Sequence, residues 1–152
     1  MQKVVSLLSV LVCFIITVPS FAQLNIKSEQ KKVERIGTLR STYAYVYVQD
    51  STFFLNVRSS NQFDDPTLFF LGETTESAIM TLNDLCEVCE SLDVNASISV
   101  EDAKGQSAFM VKKKMLGKPY LDFSVEGQAG ASNLTLAEFK KAIEIIQSYN
   151  KQ

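Results

Sequence analysis

Two short phrases of the chain share one grammar: MTLNDL at residues 80–85 and LTLAEF at 134–139 both run apolar, Thr, Leu, small or polar, acid, apolar. In each, Thr81 or Thr135 can cap a helix with an acid three residues on, Asp84 or Glu138. The apolar residue before the cap, Met80 or Leu134, can staple onto Leu85 or Phe139. Each phrase also follows segments with apolar residues at every second place, the period of a half-buried strand. A chain that twice writes strands and then a capped helix has few folds open to it. A few antiparallel strands cannot cover both of their faces, so each helix must lie across a sheet.

The strand segments of the first half are YAYVYVQD (43–50), TFFLNVRS (52–59) and PTLFFLGE (66–73), with VERIGTLRS (33–41) ahead of them. QDS suits a tight hairpin and SSNQFDDP a longer turn. The second half offers ASISVED (96–102), SAFMVKKK (107–114) and PYLDFSVEG (119–127). At a constant offset of 54, the helical stripe Leu82, Leu85, Cys89 and Leu92 falls on Leu136, Phe139, Ile143 and Ile146. Ala78 and Ile79 extend the first stripe, so a start near Thr75 also fits. The expected fold is α+β and two-layered: an antiparallel sheet of about seven strands with two helices on one face. It is read as a duplicated βββα unit, with pseudo-repeats at 43–93 and 96–149.

The first residues read differently. Lys3, the apolar run Val4–Val18 and the small residues Ser20 and Ala22 describe a signal peptide over residues 1–22, cut before Gln23. The run is shorter than the ~20 residues of a spanning helix. Val12 before Cys13 does not suit a lipoprotein site. Residues 23–152 then form one domain, large enough for a single core. Without Lys3 it holds 14 basic and 17 acidic residues, spread without long blocks, which gives no footprint for nucleic acid. No second apolar run reaches spanning length, so no membrane span is expected after cleavage. The expected location is outside the cytoplasm, periplasmic or extracellular.

Alternation also assigns faces. In the second half Ile98, Val100, Phe109, Val111, Leu121, Phe123 and Val125 are expected inward, leaving Ser97, Ser99, Glu101, Lys112, Asp122 and Ser124 outward. In the first half the inward set is Ala44, Val46, Val48, Phe53, Leu55, Val57, Leu68 and Phe70. The outward set is Tyr43, Tyr45, Tyr47, Phe54, Asn56, Phe69 and Leu71, far more apolar than a solvated face. Contiguous aromatic area of this kind marks a contact surface. Tyr43, Tyr45, Tyr47, Phe54 and Phe69 are therefore the candidate site. The chain's own N-terminal segment (Leu24, Ile26 and the Val33 strand) could cover it, a second copy or protein partner could dock on it, or a flat ligand such as a sugar could stack there.

Little else carries chemistry. The chain has no His, which removes Ser/His/Asp and Cys/His catalysis and the commonest zinc ligand. No glycine-rich phosphate loop is present, and no cofactor is expected. Cys86 and Cys89 form a CxxC inside a helix, flanked by Glu87 and Glu90, where a thiolate is disfavoured. They read as buried thiols, an intrahelical disulfide or a redox pair. The acids Asp64, Asp65, Glu101 and Asp102 sit at turns, where Asp is favoured for backbone reasons. Lys112, Lys113 and Lys114 read as a charged edge. The leading expectation is an exported, non-catalytic binding or protein-interaction module using the aromatic face. The competing one is a small secreted enzyme, thiol redox or hydrolase, using Cys86 and Cys89 or the turn acids.

Overall fold

The structure is a computed structural model and describes residues 33–40, 43–59, 61 and 63–149. The signal peptide expected over 1–22 and the residues Leu24 and Ile26, one of the expected covers of the aromatic face, lie outside the described residues. The elements run β1 (Val33–Arg40), β2 (Ala44–Gln49), β3 (Thr52–Val57), β4 (Thr67–Gly72) and α1 (Thr75–Ser91). They continue with β5 (Ser97–Glu101), β6 (Ser107–Met115), β7 (Lys118–Val125), β8 (Ala131–Thr135) and α2 (Leu136–Tyr149).

The class is α+β with antiparallel strands and two helices, as expected. The strands, however, form two four-stranded sheets, β1-β2-β3-β4 and β5-β6-β7-β8, rather than one sheet of about seven. The first sheet stops at β4 because groups that are not strands occupy its outer edge. The Gln128 amide donates to Leu68 O at 2.7 Å and accepts from Leu68 N at 2.7 Å, so one side chain supplies the bonds of a strand residue. Phe70 O accepts from Ala103 N at 3.0 Å, and Phe70 N donates to Asp102 Oδ2 at 3.3 Å. In return, side chains of the first half close β8: Ser59 Oγ donates to Ala131 O and Arg40 Nη2 to Asn133 O. Edges closed in this way do not recruit further strands.

One apolar cluster joins the two sheets and both helices. Ala44, Val46, Val48, Phe53, Leu55 and Val57 face it, as alternation in β2 and β3 requires. Two strands have the opposite parity to the expected one. In β4 the inward residues are Phe69 and Leu71, 2% and 0% exposed, so Leu68 and Phe70 face outward. The sequence LFFL is apolar on both faces, and the choice is made by register. Leu55 pairs with Phe69 and Phe54 with Phe70, with an irregularity between Phe53 and Phe54. In β6 Ala108, Met110 and Lys112 are buried while Phe109 is 50% exposed. Lys112 tolerates burial because its ammonium reaches Glu90 O, 2.9 Å away, at the end of α1. That helix has no basic residue in its last turn, so a strand lysine supplies the cation favoured there.

The helix starts also divide. At α2 the expected capping box forms: Thr135 Oγ1 accepts from Glu138 N, and Glu138 Oε2 accepts from Thr135 N. At α1 the box is Thr74 with Ser77, its cap seven residues upstream of Thr81. Thr81 lies inside the helix with its hydroxyl on Leu71 O at 2.8 Å, and Met80 is exposed. A strand that the sequence pattern leaves unassigned, β8, runs directly into α2. Among the described residues no helix is long and apolar enough to cross a membrane.

Candidate functional site

On β2 the side chains of Tyr45 and Tyr47 leave on the face away from the helices, while Ala44, Val46 and Val48 enter the core. Register then sets their neighbours. Tyr47 pairs with Phe54 on β3, Phe54 with Phe70 on β4, and Arg35 with Tyr47 and Thr38 with Tyr45 on β1. The rings meet in sequence: Tyr45 edge-on to Tyr47 at 5.9 Å, Tyr47 stacked on Phe54 at 5.5 Å and 9°, and Phe54 tilted on Phe70 at 5.9 Å. These are the offsets that aromatic quadrupoles favour. Each end carries a cation. The Arg35 guanidinium lies 3.6 Å from the Tyr45 centroid, held also by a hydrogen bond to Thr38 Oγ1, and Lys104 Nζ lies 3.8 Å from the Phe70 centroid.

The second half therefore contributes to a site on the first. Lys104 belongs to the β5–β6 turn, and Asp102 fixes that turn by accepting from Lys104 N and Gln106 N, both at 2.9 Å. Asp102 is 5% exposed and also binds Phe70 N, so it is a buried structural acid and not a solvated one. Beyond Phe70 the face sinks into a depression of about 230 Å³ whose walls include Gln49, Thr52, Phe54, Phe70, Glu73 and Lys104. Polar groups there border the half-buried ring of Phe70.

Of the five residues expected at the site, four lie on or beside this face. Tyr45 and Tyr47 are half-buried; Phe54 is 6% exposed because its ring is covered by Tyr47 and Phe70. Tyr43 sits just before β2, 46% exposed, with the Arg58 guanidinium 5.4 Å from its centroid. Phe69 is a correction: it packs in the core, edge-on to Phe123 at 6.3 Å, and Phe70 holds the outer place. Sequence reading also passed over Arg35 and Lys104, whose roles depend on which ring each one lands on. The strand β1 joins the sheet beside β2 instead of lying over the rings.

The residues of the competing chemistry do not converge. Cys86 and Cys89 are free thiols buried on α1. Burial pushes both above the ordinary thiol range, the Glu90 carboxylate adds to this, and Lys140 at Cys86 and Lys112 at Cys89 oppose it in part. Asp64 serves its own turn, accepting from Ser59 Oγ at 3.3 Å and Asn61 Nδ2 at 3.2 Å. Among the described residues no group of three or more acids or thiols is placed to hold a metal ion.

One further polar cluster joins the halves. Arg40 grips Glu138 through Nε and Nη2, both at 2.6 Å, and adds Asn133 Oδ1 at 3.2 Å. Burial alone would raise the Glu138 pKa, but the Arg40 fork and the Thr135 N–H and hydroxyl outweigh it and hold the carboxyl below its usual range. No family model matches the chain, and no curated protein or solved structure is significantly similar to it.

Proposed function

We propose that the protein is a non-catalytic binding or interaction module whose contact surface is the ring ladder Tyr45, Tyr47, Phe54 and Phe70, extended by Tyr43. The observation that carries this reading is the ladder's continuity: four rings in a row on an outer sheet face, with cations at both ends. Rigid aromatic side chains give large contact area for little lost rotamer freedom. The polar groups around the depression at Phe70 would fix the orientation of what docks. A second copy or another protein fits a continuous row of four rings, and a sugar could stack on a single ring face. The raised thiol pKa values speak against the redox alternative.

The same reading places the protein outside the cytoplasm, on the strength of the residues 1–22 alone. It also takes the two halves as copies of one unit, now ββββα. Support comes from inward residues that match in order: Ala44, Val46 and Val48 with Ala108, Met110 and Lys112, and Phe53, Leu55 and Val57 with Leu121, Phe123 and Val125. Leu82, Leu85 and Cys89 match Phe139, Ala142 and Ile146 in spacing and burial, an offset of three residues from the sequence alignment at 54.

Tyr45→Ala and Tyr47→Ala test the surface. Each variant is expected to keep its fold with about 1–2 kcal/mol lost, since an exposed aromatic pair is worth ~1 kcal/mol beyond its burial. Wild type is expected to self-associate by light scattering, or to change its tyrosine fluorescence on adding a glucose hexasaccharide, and the variants to lose that response. Losses of ~3–5 kcal/mol, as for truncated core rings, with neither response in wild type, would reject the proposal.

A further inference from the structure

The most exposed large apolar side chains of the second half stand at the tip of the β6–β7 hairpin. Met115 is 65% exposed and Leu116 96%. Met115 pairs with Lys118 across a two-residue turn, in which Leu116 and Gly117 have φ of 51° and 77°. That is the primed turn favoured in hairpins, whose first place suits Asn, Asp or Gly. A leucine there crowds its own Cβ against the backbone and leaves its whole side chain in solvent. Turn stability does not select it, so the residue points to a contact made by the tip.

The charges around the tip define the partner. Residues 112–121 read KKKMLGKPYL, with four lysines and no acid, in a chain of net charge −2. Lys112 is used on Glu90 O, and Lys113 on Asp122 at 2.5 Å. Lys114 and Lys118, both exposed and one on each strand, have no such partner among the described residues. Beside the tip a recess of about 510 Å³ is lined by Met115 and Leu116 themselves together with Lys118, Tyr120 and the mutually satisfied Arg40–Glu138 pair, among others. An apolar convex tip with flexible ammonium groups on either side matches a boundary that is apolar inside and phosphate-bearing outside. Protein hot spots favour rigid Trp, Tyr and Arg; the tip side chains are flexible Met, Leu and Lys, and the Arg40 beside them is already engaged by Glu138.

We propose that the β6–β7 hairpin is a peripheral membrane contact, inserting Met115 and Leu116 at the headgroup boundary of an anionic lipid surface with Lys114 and Lys118 on the lipid phosphates. The contact is separate from the ring ladder and does not rest on it.

The chain has no Trp, so Leu116→Trp makes a single reporter at the tip. Full-length Leu116→Trp is mixed with vesicles of phosphatidylcholine alone or with phosphatidylglycerol, some with brominated acyl chains. The expected result is a blue shift and bromine quenching with the anionic vesicles, and no change with inorganic phosphate. Adding Lys114→Ala and Lys118→Ala should weaken binding about 25-fold, at ~5-fold for each lysine near an anionic surface. Phe109→Trp, near the other end of β6, should stay unquenched; this separates the tip from the apolar run Val4–Val18. An emission at residue 116 that ignores every vesicle overturns the proposal. So does an emission already blue-shifted without lipid that grows with protein concentration, which would place the tip against a second copy.

Discussion

Toward the helices the two sheets are alike, each lining one shared core with alternate residues of its central strands. Away from the helices they differ. The face of β5–β8 carries Ser97, Ser99, Glu101, Ser124 and the Lys113–Asp122 pair, with the exposed Phe109 and the half-buried Val111 and Tyr120 among them. The face of β1–β4 carries four touching rings closed by Arg35 and Lys104. Since the second half forms the same strand order with a wet outer face, the rings of the first are not a requirement of the architecture. They are a property of that face, and even its Lys104 comes from the other half.

The largest test of that contrast lies within one strand. Phe69 and Phe70 are adjacent on β4 and point to opposite faces. Phe69→Ala is expected to cost ~3–5 kcal/mol and Phe70→Ala about 1–2 kcal/mol in urea denaturation, because only the first leaves a core cavity. Equal losses would mean that the ladder is part of the core. The next effect sharpens how the halves are joined. Glu138→Gln is expected to cost about 2 kcal/mol near neutral pH, where a charge-assisted pair to Arg40 is lost. The folded carboxyl titrates below its unfolded value of about 4.3, so this stability is fully present above that value. It is lost as pH falls through the folded value. The gap between wild type and variant, measured by denaturation across pH, should therefore be flat from neutral pH to about 5 and close in more acid solution; a gap that widens toward acid contradicts the assignment. The smallest effect is Phe109→Ser, expected within about 0.5 kcal/mol of wild type, as for an exposed site, and well below Tyr47→Ala in the same assay.

The contrast was legible in sequence where alternation was clean. β2 and β3 are central, β2 with small or branched residues inward and tyrosines outward and β3 with Phe53, Leu55 and Val57 inward, and their faces read correctly. β4 and β6 did not. LFFL offers apolar residues to both faces, so its parity is set by the partner strand and by an irregularity at Phe53 and Phe54. In β6 Phe109 and Val111 lie outside while Ala108 and Met110 lie inside, because Lys112 is drawn inward by the Glu90 carbonyl at the end of α1. The repeated phrase misled in one of its two uses. Thr135 caps α2, but Thr81 is a mid-helix residue, because Thr74 and Ser77 offer a box farther upstream and bring Ala78 into the core. Two sheets instead of one could not be read at all: the sheets stop where a Gln amide, an Asp and a turn N–H occupy an edge, and those are distant in sequence.

Whether the ring ladder is an open surface can be measured directly by the effect of a soluble gadolinium chelate on ring proton relaxation in the full chain at a dilution where it is monomeric. The account predicts strong relaxation at Tyr43, Tyr45 and Tyr47 and none at Phe69 or Phe139. Tyrosine rings as protected as Phe69 would contradict it, since the face would then be covered by the chain itself.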